Sequence, residues 1–173
     1  MKKNIFYLII LLFFTFIFTI FYIGLDKPNF YTPKELKNKS LEEFTSTELF
    51  SNEQFSSNDI IENNKFTLIN IWSSWCVPCR LEHSVLMDLS EKTDLNIVGL
   101  NYKDKKNNAI KFLNELGNPF SKILTDPDGI VSISLGAYGV PETFLLNNKS
   151  KIIRKYIGPL TKENILEIIK IIK

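Results

Sequence analysis

Cys76 and Cys79 are the only thiols of this 173-residue chain, and they stand in the stretch LINIWSSWCVPCRLEHS, residues 68–84. A pair at that spacing, between an apolar run rich in β-formers and a helix-compatible segment, points to dithiol–disulfide exchange. The first turn of a helix presents unpaired N–H groups and the positive end of the macrodipole. Such a field stabilises a thiolate, so Cys76, nearer the helix start, is the expected nucleophile. Cys79 lies one turn on, placed to attack a mixed disulfide formed at Cys76. Pro78 suits the position between them, because its missing donor is not needed there and its φ is preset for a first turn. Glu82 follows Cys79 on the same helical face and is a candidate proton acceptor for Cys79; the alternative is a solvated helix carboxylate. A zinc site made of Cys76, Cys79 and His83 would lack a fourth ligand, so neither a metal nor a cofactor is expected beyond the redox-active pair itself. Two cysteines confined to one motif do not make a secreted disulfide scaffold, and the loop they close is too short to constrain the unfolded chain much.

The elements that must position this pair follow from the surrounding pattern. Residues 67–72 have the profile of a buried central strand, and 80–92 carry Leu81, Val85, Leu86 and Leu89 at helical spacing. A second buried strand is expected over 96–102 and a helix over 107–116, ended by Gly117 and Pro119. A turn at 126–129 leads to a short helix at 130–135. Residues 143–146 and 152–157 then flank Asn147-Asn148-Lys149-Ser150 as a hairpin. After Gly158-Pro159, Thr161 caps a last amphipathic helix reaching Ile172. Upstream, residues 41–61 suggest a short strand pair and a brief helix near 58–62. The order β–α–β–α–β–β–α implies a mixed sheet with helices on both faces.

Ahead of this domain, residues 5–25 carry no charge and are dominated by Ile, Leu and Phe, with Lys2 and Lys3 before them. At ~1.5 Å per residue such a helix spans the ~30 Å hydrocarbon layer. The lysines favour a cytoplasmic N-terminus and hence an exported domain. A cleaved signal peptide is the alternative, but the apolar run is long and residues 21–25 offer no small-residue cleavage site. Three parts are therefore expected: an anchor over 1–25, a linker over 26–38 containing Pro28 and Pro33, and one domain over 39–173. The whole chain has 21 basic and 19 acidic residues; without Lys2 and Lys3 it is formally neutral, which argues against a nucleic-acid partner.

With that order, and a Cys-x-x-Cys after the first core strand, the chain resembles the α/β thioredoxin-fold proteins. Further residues narrow the likeness. The segments YGVPETFL (138–145), Asn70-Ile71-Trp72, WCVPCRLEH (75–83), GLNYKD (99–104) and LGNPF (116–120) resemble the membrane-anchored DsbE/CcmG thiol:disulfide interchange proteins of cytochrome c maturation. The resemblance covers about residues 39–173, with the anchor in addition.

The resemblance implies that Pro141 is cis and faces the dithiol, leaving the Val140 backbone free to pair with an extended substrate segment. Trp75, Val77, Pro78, Val140 and Pro141 are then the expected substrate contacts. Trp75 would be a partly exposed wall, and Trp72 a core residue. Glu142 would belong to an acidic rim near Cys76, with Asp104 a weaker member. A carboxylate there opposes the helix field, which favours a reductant over an oxidant. The implied role is to keep the haem-site cysteines of apocytochrome c, or a maturation partner, reduced in the periplasm, with electrons from a membrane protein of the DsbD or CcdA type. Rival readings are a general periplasmic thiol reductase or oxidase, a peroxide-reducing thioredoxin relative, and a tethered interaction module whose disulfide is structural.

Overall fold

The computed structural model describes residues 2–25, 39–61 and 63–173, in two units, Met1–Lys34 and Glu35–Lys173. The expected linker over 26–38 lies outside the described residues, as does Glu62. In the first unit, α1 runs Lys2–Leu25, and its stretch Asn4–Tyr22 is long and apolar enough to cross a membrane. The Thr15 and Thr19 hydroxyls donate back to the carbonyls of Leu11 (2.5 Å) and Thr15 (2.7 Å), so these polar groups are met within the helix. That is what a hydrocarbon environment requires.

The second unit runs β1 (Thr45–Glu48), β2 (Gln54–Ser56), α2 (Ser57–Ile61), β3 (Phe66–Trp72), α3 (Val77–Lys92), β4 (Asn96–Tyr102), α4 (Lys106–Leu116), β5 (Lys122–Asp126), α5 (Ile130–Ser134), β6 (Glu142–Asn147), β7 (Ile152–Ile157) and α6 (Lys162–Ile172). One seven-stranded sheet has the order β2-β1-β5-β4-β3-β6-β7. The helix-linked strands β3, β4 and β5 are parallel, while β6, β7, β1 and β2 join antiparallel, so the sheet is mixed. Strand β5 was not expected: KILTD is short, half polar, and merges into the Asp126 turn. Helix α3 begins at Val77, three residues before the apolar periodicity starts, because Cys76 caps it and Pro78 fits its first turn.

Strand parity divides the core. Leu68 and Trp72 point to one face, with α3, α4 and α6; Ile69 and Ile71 point to the other, with α2. Cys76 and Cys79 belong to the first cluster. Between the faces, β4 passes close under Trp72 at Gly99. A Cβ there would lie 2.8 Å from Trp72 Nε1 and 3.0 Å from the Phe120 ring.

Candidate functional site

At the start of α3, Cys76 has extended dihedrals and is the N-cap, and its sulfur accepts the Cys79 N–H at 3.1 Å. Cys76 and Cys79 are joined as a disulfide. Both residues are nearly covered, with 4% and 2% of their surface exposed. The chain around them is not: Trp75 is 57% and Val77 69% exposed, and Pro78 is exposed too. The pair thus lies directly beneath a surface rim. The turn leading to it is fixed from β4. Asp104 accepts from the Ser74 N–H (2.6 Å) and hydroxyl (2.8 Å), and the Ser73 hydroxyl donates to the Tyr102 carbonyl.

Glu82 is buried, at 2% exposure, which removes the solvated-carboxylate alternative. Its Oε1 accepts from Asn70 Nδ2 at 2.9 Å and its Oε2 from the Leu160 N–H at 2.7 Å. Burial outweighs these two donors and pushes the carboxyl up to about 7. A buried carboxyl that gains and loses its proton near neutrality, on the helix that carries both sulfurs, has the profile of a proton carrier.

The Val140–Pro141 bond is cis. Val140 is half-buried, packs against the cluster that holds both cysteines, and makes no backbone hydrogen bond among the described residues. Glu142 corrects the expected acidic rim. It is paired with Ile71 on the strand ladder, and parity sends its side chain to the face opposite the dithiol. There it is buried, 2.7 Å from Lys155 Nζ, and its Oε1 accepts from the N–H groups of Tyr138 (2.6 Å) and Gly139 (3.0 Å). Glu142 therefore clamps the loop before Pro141 from the face opposite the dithiol. Asp104, the weaker rim candidate, is half-buried and its oxygens brace the turn into Cys76.

The chain matches the Redoxin family over residues 36–169. It belongs to that family. Among relatives of this Redoxin chain, a protein of Pasteurella multocida named "Probable thiol:disulfide interchange protein DsbE-2" is 35% identical over 94% of this chain and 85% of its own length. The thiol:disulfide interchange protein CycY of Rhizobium leguminosarum is 46% identical over 63% of this chain, and DsbE of Tatumella citrea 48% identical over 58%. The matched stretches span 59% and 54% of those two proteins' lengths. A crystal structure of a DsbF homologue from Corynebacterium diphtheriae superposes with a TM-score of 0.68 at 25% identity, covering 83% of this chain and 95% of that one. The thioredoxin-like fold expected from the sequence is thereby established.

Other expected residues fall as follows in this Redoxin domain. Trp75 forms an exposed wall, its Nε1 donating to the Lys103 carbonyl at 3.0 Å. Trp72 is core, with ring centroids 5.6 Å from Phe120 and 5.0 Å from Phe112. His83 is a core residue, held by the Gly117 carbonyl at 2.9 Å and edge-on to Phe112. Burial shifts its imidazole down and keeps it neutral further into acid. Asn70, Thr143 and Lys155 were missed as site residues. The available signal was an asparagine in the middle of the apolar run FTLINIW.

Proposed function

We propose that the protein is a membrane-anchored thiol–disulfide oxidoreductase working as a reductant on the periplasmic side of a bacterial inner membrane. The observation that carries the exchange reading is the seat of the Cys76 sulfur, at the N-cap of α3 with the Cys79 N–H already directed at it; the reducing direction rests on the DsbE/CcmG resemblance. In the reduced protein that donor and the helix end favour an anionic sulfur. The Cys76 thiolate attacks one sulfur of a substrate disulfide, forming a mixed disulfide and releasing the other sulfur as a thiolate. Cys79 gives its proton to Glu82 and attacks the Cys76 sulfur, and the remaining substrate thiolate leaves. The substrate has gained two electrons, and Cys76 and Cys79 are again a disulfide. The Val140 backbone offers an edge to which an extended substrate segment adds as a strand, beside Trp75, Val77, Pro78 and Pro141.

The substrates implied by the DsbE/CcmG resemblance are the haem-site cysteines of apocytochrome c or a maturation partner, whose thiols must be free before haem is attached. In an oxidising compartment the dithiol has to be re-reduced each cycle, and a membrane dithiol protein of the DsbD or CcdA type is the matching donor. α1 would hold the domain at the membrane where that donor sits. The test has two arms. Cys79→Ala is expected to accumulate mixed disulfides at Cys76, and recovery of none would defeat the exchange reading. Cys76→Ala is expected to abolish c-type cytochrome assembly while other haem proteins form normally; unchanged c-type cytochrome would defeat the maturation role alone.

A further inference from the structure

We propose that Asn70 is a rotating amide that keeps a hydrogen bond to Glu82 in both of its protonation states, donating through Nδ2 to the carboxylate and accepting through Oδ1 from the acid. This deepens the reading above, because it rests on Glu82 taking the Cys79 proton. Asn70 is a positioning residue: it acts on the sulfurs only through that carboxyl.

The sequence around Asn70 is apolar on both sides, and the residue is fully buried in the central strand β3. A leucine there would pack without the cost of burying an amide whose groups are left unmet. The amide is in fact only half met. Nδ2 lies 2.9 Å from Glu82 Oε1 and 2.9 Å from Thr143 Oγ1, while Oδ1 has no hydrogen-bond partner among the described residues. The full cost is carried at a position where packing does not ask for it.

The chemistry of the carboxyl supplies the reason. A carboxylate only accepts, whereas a protonated carboxyl also needs an acceptor for its O–H. The Leu160 N–H can donate to Oε2 but can never accept. Asn70 is the other partner of the carboxyl, and it carries a donor and an acceptor on one planar group. A half-turn of the amide puts Oδ1 where Nδ2 stood. Oδ1 then accepts from the Glu82 O–H and from the Thr143 hydroxyl, which can donate as readily as accept. Each state keeps the same number of bonds and leaves one amide atom unpaired, Oδ1 in the first and Nδ2 in the second. The bond to the carboxylate is charge-assisted and so the stronger of the two, which is why Asn70 holds down a midpoint that burial raises.

Among the described residues, no charged side chain acts on the Glu82 carboxyl. Burial, the Leu160 N–H and Asn70 account for the shift at Glu82. Its neighbour His83 is turned to the Gly117 carbonyl. On β7, Tyr156 stands beside Thr143 in the ladder but directs its hydroxyl to Glu167 on α6.

The test follows side-chain resonances of the oxidised full-length protein in detergent, where no thiol titrates. The Asn70 amide protons are expected to move with the same midpoint as the Glu82 carboxyl carbon. An Asn70 signal that stays flat while Glu82 titrates would overturn the rotating amide. In parallel, the resolution of a mixed disulfide between Cys76 and a chromogenic aromatic thiol is followed against pH. Asn70→Leu removes the donor to the carboxylate, so its midpoint should rise; a one-unit rise from about 7 slows resolution at pH 7 about fivefold. An unmoved midpoint would overturn the proposal, and the resonance experiment on the unaltered chain stands if Asn70→Leu does not fold. If Glu82→Gln leaves the wild-type pH profile intact, it is the proton-acceptor reading that fails, and the use assigned to Asn70 goes with it.

Discussion

Glu82 would ionise near pH 4.5 in water and is held at about 7 in the fold. Between those values the folded chain keeps a proton that the unfolded chain has lost. The stability tied to this acid is therefore complete below about pH 4.5 and declines as pH rises through about 7. Relative to Glu82→Gln, the wild-type protein should lose about 3 kcal/mol between pH 4.5 and pH 8, measured by denaturation at both pH values. Equal slopes in the two proteins would show that the carboxyl is not perturbed. Glu142 faces a cation, Lys155. Lys155→Met leaves a buried carboxylate with only the two loop N–H groups, and should cost about 3 kcal/mol and slow disulfide exchange by loosening the Pro141 loop. Adding Glu142→Gln to Lys155→Met should restore part of that stability. Spacing alone brings out the Cys76–Cys79 pair and sets Glu82 on the helix that follows it. Adjacency to Pro141 suggests a place for Glu142 near Cys76, but alternation sends Thr143 to the dithiol face and Glu142 to the other.

Elements with strong periodicity were read nearly to the residue, and those shaped by neighbours were not. β4 and β7 have the expected bounds, β4 because its buried apolar run leaves little choice and β7 because the turn at Asn147–Ser150 and the break at Gly158 bracket it. The start of α3 shows in Cys76 and Pro78 and not in the apolar period, which begins only after Cys79. β5 was missed because its pairing with β4 and β1, more than its composition, makes it a strand. The end of the chain gives a clean test. Thr161 accepts from the Asn164 N–H at 3.3 Å, and the Asn164 side chain returns to the Thr161 N–H at 2.9 Å. Thr161→Ala should destabilise the domain by about 1 kcal/mol in denaturant titration. Gly99→Ala should cost more, about 1–3 kcal/mol, because the added methyl meets the indole of Trp72 and the ring of Phe120 in a packed core.

At the scale of the molecule, the chain couples an apolar helix to a Redoxin domain. Membranes washed with alkali should retain the full-length protein, and its release into the supernatant would rule out α1 as an anchor. The domain also draws its site from distant parts of the chain: the sulfurs at 76 and 79, the amide at 70, the hydroxyl at 143 and the backbone donor at 160. Synthesis proceeds from the N-terminus, so both sulfurs leave the ribosome well before residues 143 and 160 exist. A nascent chain stopped anywhere short of Leu160 carries them as ordinary peptide thiols, with no shielded acid beside them. The poised pair is thus among the last properties the polypeptide acquires, and a truncated product would retain the motif without its reactivity.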